Sequence, residues 1–313
     1  MTQKHRLITR SDLDGITCAA LLKELDMVEE IKFAHPKDMQ DGTIEITGND
    51  IITNLPYHPN AAMVFDHHAS EVERNSGNAL PENVINDPTA PSAAHVIYRH
   101  YGGATKFTGI SPQLMDATNK IDAAQLSMED ILNPEGWTLL GFIMDNRTGL
   151  GRFRNFRISN YQLMMELVDI LRKNSGSIED ILRHPDVAER AVMYKEHNKL
   201  ARQQIMRCSA VHEKLVVADL RNEKEIFTTN RFTIYAMYPN CNISMHIMPG
   251  KQNVNTVFAV GKSVLDRSSS LDVGSLMLAY GGGGHKAVGT CQIDNDKASD
   301  VKNELISKIT AAG

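Results

Sequence analysis

The sequence predicts an α/β fold: an N-terminal, mostly parallel sheet with helices on both faces, a helical connector, and a smaller C-terminal α+β domain with a mixed sheet. Three changes of pattern carry that expectation. Short apolar runs punctuated by one clear helical repeat occupy the start of the chain, helical spacing dominates from Pro91 onward, and strand-like runs return after Cys208. The changes place domain boundaries at 1–186, 187–209 and 210–313.

Leu7-Ile8-Thr9 reads as the first strand. Ile16, Ala19, Ala20, Leu21 and Leu25 then repeat at helical spacing, so a helix begins near Asp14. Residues 30–34 and 50–53 read as the next strands, and the apolar segment 61–65 as a fourth that runs straight into Asp66-His67-His68. Helices are expected from Ser92, from Pro112, over 137–144, 163–171 and 178–182, with a long polar one over 187–206 as connector. Strands follow at 215–218, 232–237, 243–248 and 257–260. A helix near 273–280 leads to Gly281-Gly282-Gly283-Gly284-His285-Lys286-Ala287-Val288-Gly289, then a strand and a closing helix.

Composition narrows the functional classes. With 313 residues, 42% hydrophobic and 23% charged, the chain has the core of one large or two medium domains of an ordinary globular protein. No run approaches the roughly 18 apolar residues of a membrane span, and Asp12 arrives before a signal-peptide core could form. Cys18, Cys208, Cys241 and Cys291 form no CxxC pair, which points to reduced thiols in a cytoplasmic protein and away from a structural zinc site. A net charge of −5 gives no broad basic surface for duplex DNA, while a small phosphorylated ligand needs only a local basic pocket.

The chemistry concentrates in a few segments. Asp66-His67-His68 ends a buried strand with a mixed oxygen and nitrogen donor set that suits manganese, zinc or iron better than calcium. Asp12 and Asp14 sit where a strand runs into a helix. Aspartate is a favoured N-cap, but two at i and i+2 beside Gly15 exceed what a cap requires. Asp145 closes the apolar run 139–144 and is either a cap-like surface residue or a ligand lowered into a site. Directly after it, residues 147–157 carry Arg147, Arg152, Arg154 and Arg157 among glycines and two phenylalanines, with no acid; arginine suits bidentate phosphate contacts. The glycine run before His285 and Lys286 is either a mobile linker or an anion-holding loop with bare N–H groups. A linker seldom sits between two packed elements of one domain.

Taken together, Asp12-x-Asp14-Gly15, Asp66-His67-His68, Asp145 and the 281–289 glycine motif resemble, in order and over nearly the whole chain, the DHH superfamily of phosphoesterases with a C-terminal DHH-associated domain. That resemblance implies one or two Mn²⁺ or Mg²⁺ ions at the edge of the first sheet, with Asp12, Asp14, His67 and Asp145 as ligands. It implies a catalytic set of Asp66, His67, His68 and Asp145, in which Asp66 supports and His68 contacts the phosphate. Arg152 and Arg154 would hold the scissile phosphate. Arg267, His285 and the backbone of Gly282, Gly283 and Gly284 would hold a terminal phosphate or base, favouring substrates short enough to reach both. Two positions depart from the family pattern: Arg10, where many relatives carry His or Asp, and Asn54, the nearest match to the acid of the second motif. Both are counted among the residues lining the substrate site.

The implied function is metal-dependent hydrolysis of short 5′-phosphorylated oligoribonucleotides or linear dinucleotides such as pGpG, by a cytoplasmic enzyme, possible as a homodimer, with no membrane or duplex DNA partner. The alternatives are an exopolyphosphatase or pyrophosphatase, and a nucleotide-binding module whose catalysis has decayed. Arg10 and Asn54 favour the last; the joint presence of Asp12, Asp14, His67 and Asp145 argues against it.

Overall fold

The computed structural model describes residues 4–68, 81–173 and 177–312. These form two units: Met1–Gln125 with Pro134–Met193, and Leu126–Asn133 with Tyr194–Gly313. The helix Pro185–Cys208 passes from one to the other.

In the first unit β1 (His5–Arg10), β2 (Val28–Ala34), β3 (Asp50–Thr53), β4 (Met63–Asp66) and β5 (Val84–Asn86) form a sheet in the order β2-β1-β3-β4-β5, parallel throughout. Leu7, Ile8, Ile51, Ile52, Val64 and Phe65 are all buried, the near-continuous apolar run of strands covered on both faces. Parallel pairing puts the ends of β1, β3 and β4 at one edge, with Thr9 level with Thr53 and Thr53 level with Phe65. The chain leaves β1 for β2 on one side and returns to β3 on the other. This switch of direction opens a crevice beyond the carboxyl ends of β1 and β3, where ligands of such sheets bind.

The helix Leu13–Glu24 starts at that crevice. Asp12 is its N-cap and accepts from the Gly15 N–H at 3.1 Å. Leu13 to Leu22 are buried because the helix packs against four others: Ala93–His100, Pro112–Asp122, Gly136–Met144 and Asn160–Lys173.

The second unit holds β6 (Ser209–His212), β7 (Leu215–Asp219), β8 (Ile243–Pro249), β9 (Thr256–Lys262), β10 (Gly283–His285) and β11 (Val288–Ile293), ordered β10-β11-β9-β8-β7-β6. β7 and β8 are parallel and the other pairs antiparallel, giving the mixed sheet expected. Leu215, Val217, Met245, Ile247, Phe258 and Val260 form its core with Met277, Leu305 and Ile309 from the flanking helices.

Two expectations need correction. Residues 232–237 are not a strand: Thr233–Met237 is a single helical turn. The Asn230 side chain turns the backbone there, accepting from the Phe232 N–H at 3.0 Å while its Nδ2 donates to the Ile131 carbonyl at 2.9 Å. Ile234 and Tyr235 are buried by that turn, and a short apolar run does not by itself distinguish helix from strand. The glycine run is not an open loop either. Gly283 to His285 are β10, paired with β11. A Cβ on Gly282 would lie 2.0 Å from the Thr290 carbonyl oxygen, and one on Gly284 2.2 Å from that of Val288, so these glycines permit close backbone packing; Gly283 alone of the three faces open space.

Among the described residues no helix is long and apolar enough to cross a membrane.

Gly15 fixes the geometry of the crevice. A Cβ there would sit 1.9 Å from the Arg10 carbonyl oxygen, a backbone atom that cannot swing aside. Gly15→Ala is therefore expected to lower stability by about 1–3 kcal/mol through overpacking, despite the better helix propensity of alanine. Urea denaturation reads this directly; an unchanged midpoint would show that the β1 end yields freely.

Candidate metal centre

The carboxyl ends of β1, β3 and β4 deliver Asp12, Asp14, Asn54, Asp66 and His67 to one crevice. Asp12, Asp14, Asn54 and Asp66 are buried, at 5%, 2%, 1% and 2% exposure, so each must find compensation inside the protein. Asp14 does so at the start of the Ala93–His100 helix, where its two oxygens accept from the Ala93 N–H (3.1 Å) and the Ala94 N–H (2.8 Å). Asn54, with a left-handed φ of 54°, turns the chain after β3 and directs Nδ2 to 3.5 Å from Asp12 Oδ1.

One ligand atom each from Asp14, His67 and Asp122 lies within 4.8 Å of the others. Asp122 comes from the last turn of the Pro112–Asp122 helix, and its Oδ2 is 2.9 Å from His67 Nε2. On the other side of that ring, Nδ1 is 3.2 Å from the Ala90 carbonyl oxygen. A carbonyl can only accept, so Nδ1 carries a proton and the neutral ring presents a lone pair at Nε2, the tautomer of a metal-ligating histidine. Nε2 is buried with the Asp122 carboxylate as its polar neighbour, and Asp12 Oδ2 is buried with Arg10 Nε at 3.2 Å. A lone pair facing a carboxylate oxygen at 2.9 Å is repulsive unless a proton or a metal ion lies between them. The donor set, imidazole with carboxylates, suits Mn²⁺ and related divalent ions, and these residues fit such an ion.

Without the ion, protons bear the strain. Burial pushes the Asp14 carboxyl up to about 7, helped by the charges of Asp122 and Asp12. Burial also raises Asp12, against the pull of Arg10. For His67 burial acts downward, but Asp122, Asp14 and Asp66 overcome it and lift the imidazole to about 9. Asp122 lies below the usual carboxylate range: burial opposes this, and His67 followed by His68 and Arg10 outweighs it.

The other residues singled out in the sequence are distributed around this cluster and in the second unit. His68 Nδ1 is 2.8 Å from Asp66 Oδ1, and its ring stands 4.5 Å from that of His67 at 63°. Asp66, His67 and His68 thus form a second close group of ligand atoms. Asp145, at the end of the Gly136–Met144 helix, accepts at Oδ1 from Arg147 Nε (2.7 Å) and from the Arg147 N–H (2.9 Å). Arg10 Nε is 3.2 Å from Asp12 Oδ2. Arg152 and Arg154 are exposed on the segment that follows. In the second unit Arg267 and His285 are exposed, and Gly282 and Gly283 are half-buried beside the exposed Gly284.

Asp122 is the site residue that the sequence reading passed over. It closes the stretch Asn119-Lys120-Ile121-Asp122, and one feature of that stretch points to it. An acid in the last turn of a helix opposes the macrodipole, so its presence there calls for a local cation.

Asp122→Asn keeps the shape and removes the charge facing His67. Mn²⁺ affinity is expected to fall by at least about 10–100-fold, the loss typical of a residue that merely orients a ligand, read by titration calorimetry; unaltered affinity would place the ion elsewhere. Binding must also displace the proton on His67 and, below about 7, that on Asp14. Both groups hold protons above their ordinary range in the metal-free state, so apparent affinity should rise by about tenfold per pH unit from about 7 to 9, and more steeply below 7. A pH-independent Mn²⁺ affinity over that range would contradict the linkage.

No family model matches the chain, and no curated protein does. Among solved structures it is similar to the pGpG-specific phosphodiesterase PggH from Vibrio cholerae, with 51% identity, coverage of 99% of this chain and 100% of that one, and a TM-score of 0.85. It shares a fold with CDC45 from Entamoeba histolytica (10% identity, 98% and 95% covered, TM-score 0.52). It shares one also with RecJ from Thermus thermophilus, solved in complex with Mn²⁺ (11% identity, 99% and 52% covered, TM-score 0.51). Half of all positions match a phosphodiesterase end to end, in a chain that carries the aspartate pair, the Asp-His-His triplet, Asp145 and the glycine motif in order: it belongs to the DHH superfamily of phosphoesterases.

Proposed function

We propose that this chain is a metal-dependent phosphodiesterase that hydrolyses short 5′-phosphorylated linear dinucleotides, pGpG among them, to mononucleotides. The observation that carries the reading is the 51% identity, over both full lengths, to a pGpG-specific phosphodiesterase. The meeting of Asp14, His67 and Asp122 supports it. A divalent ion, Mn²⁺ or Mg²⁺, would lower the pKa of a water and offset charge on the phosphoryl oxygens.

In this reading Asp14, His67 and Asp122 hold the ion. The Ala90 carbonyl keeps His67 in the ligating tautomer, and the Ala93 and Ala94 N–H groups keep Asp14 aimed into the crevice. Asp66 accepts from His68 Nδ1 and fixes that ring, whose side chain is 36% exposed beside the ligating His67 and would contact the phosphate. Arg152 and Arg154 supply exposed guanidinium donors of the kind that bind phosphate bidentately. Arg267, His285 and Gly283, where a side chain would meet open space, are the anion-binding candidates of the second unit.

Pyrophosphate or polyphosphate hydrolysis fits less well. Those substrates concentrate charge and call for several metal ligands, whereas Asn54 places a neutral amide against Asp12. A decayed binding module fits less well too, because the three-residue donor group is intact and His67 is held in the ligating tautomer.

The test is release of GMP from pGpG in the presence of Mn²⁺, beside pyrophosphate and polyphosphate, for wild type and His67→Ala. Rapid release from pGpG is expected, falling by at least about a hundredfold in the variant. Orthophosphate from the inorganic substrates with pGpG left intact would assign the chain to the other reaction.

A further inference from the structure

The acids of the crevice divide into two halves. Asp14 and Asp122 converge on His67, and among the described residues neither forms an ion pair with an arginine. Asp12 and Asp145 each face a guanidinium. Arg10 Nε lies 3.2 Å from Asp12 Oδ2, and Arg147 Nε 2.7 Å from Asp145 Oδ1. The same Arg147 turns Nη2 to 4.0 Å from Asp12 Oδ2, so one guanidinium spans both carboxylates. Its backbone N–H also donates to Asp145 Oδ1, in the short turn Asn146–Thr148 that Asp145 caps, which fixes its stem relative to the acid. The two side chains remain 20% and 31% exposed, so each keeps a face turned to solvent.

Charge decides how many ions this arrangement can take. Asp12 and Asp145 are matched by the guanidinium groups of Arg10 and Arg147, and Asp66 is bonded to His68, which leaves Asp14 and Asp122 around His67, neutral when it ligates. Two negative charges are left over, which one divalent ion cancels. A second ion would have to enter between Asp12 and Asp145 and expel guanidinium groups that stay charged at every working pH. In two-metal phosphoesterases the second ion clamps an oxygen of the displacement. Two guanidinium groups together offer the double positive charge of such an ion and, beyond the N–H groups already facing carboxylates, further donors in a fixed plane.

We propose that Arg10 and Arg147 take the place of a second metal ion: the site binds one divalent ion at Asp14, His67 and Asp122, and the two guanidinium groups on Asp12 and Asp145 supply the second positive centre toward the phosphoryl group. This rests on the metal-centre reading given above. The departure at Arg10 is then a substitution of one cation for another, and the mononuclear site keeps the charge of a dinuclear one without its second ion.

The experiment is Mn²⁺ stoichiometry by titration calorimetry together with the EPR spectrum of the bound ion, on wild type and on the double variant Arg10→Met/Arg147→Met. Wild type is expected to bind one Mn²⁺ per chain with the spectrum of an isolated ion. The double variant, freed of both guanidinium groups, is expected to bind two, with an exchange-coupled spectrum. Two coupled ions in the wild type would overturn the proposal and leave the metal centre standing. A double variant that folds by circular dichroism and still takes one ion would overturn it as well. No ion in the wild type would remove the metal centre itself, and the proposal with it. Should the double variant not fold, the wild-type stoichiometry alone decides.

Discussion

Everything in the first unit answers to one electrostatic constraint: carboxylates that are buried or half-buried stand close to one another around one crevice. Burying one such charge costs several kcal/mol unless it is paired, and burying neighbours of the same sign costs more. Each acid meets the cost differently. Asp12 caps a helix and faces Arg10, Asp14 draws on two backbone N–H groups at a helix start, Asp122 faces His67, and Asp145 is held by Arg147. What these pairings leave uncompensated is concentrated at Asp14, His67 and Asp122. A folded protein keeps such a region where a cationic ligand offsets it, which is why perturbed acids and functional sites coincide.

The scaffold sustains that concentration of charge with hydrogen bonds placed behind it. Thr53 Oγ1 donates to Thr9 Oγ1 at 2.7 Å where β3 and β1 lie level, stitching the two strands at the switch point. Thr17 and Thr118 Oγ1 atoms are 3.0 Å apart between the central helix and the helix that carries Asp122. Ser92 Oγ donates to Asn119 Oδ1 at 2.7 Å, tying the helix start that cradles Asp14 to that same helix. These contacts fix where Asp122 stands relative to Asp14, and a ligand set is only as precise as the shell behind it. The arginine-rich segment is anchored by similar means. Arg190, fully buried, donates to the Ile158 carbonyl and to Asn160 Oδ1 and lies 4.1 Å over the Phe156 ring, so the residues after Arg154 are pinned while Arg152 and Arg154 stay at the surface.

In the second unit the glycine run shows how one residue type answers two demands. Gly282 and Gly284 are required because β10 lies against the backbone of β11 too closely for a side chain. That need is structural. Gly283, between them, has open space where its side chain would be, so a close approach by a ligand there costs the packing nothing. The motif is therefore rigid rather than loose, and an anion held there would meet a preset backbone.

The sequence by itself determined the class of fold, the strand-to-helix junction with its two aspartates, the strand that ends in Asp66-His67-His68, and the likeness to a family of phosphoesterases. Those are local facts: apolar periodicity, a cap position and a run of donor residues are all written within a short stretch of neighbours. It left Asp122 without a role, read 232–237 as a strand, and read the glycine run as a loop where Gly283 to His285 are a paired strand. Each of these depends on partners far along the chain. His67 and Asp122 are brought together by the packing of a helix on a sheet, the 233–237 turn is bent by an asparagine bonded to Ile131, and Gly282 is confined by Thr290. Only the tertiary structure decided that Arg10 and Arg147 would stand on Asp12 and Asp145 while His67 faced Asp14 and Asp122. Coulomb energy depends on distance in space, and separation along the chain does not encode it.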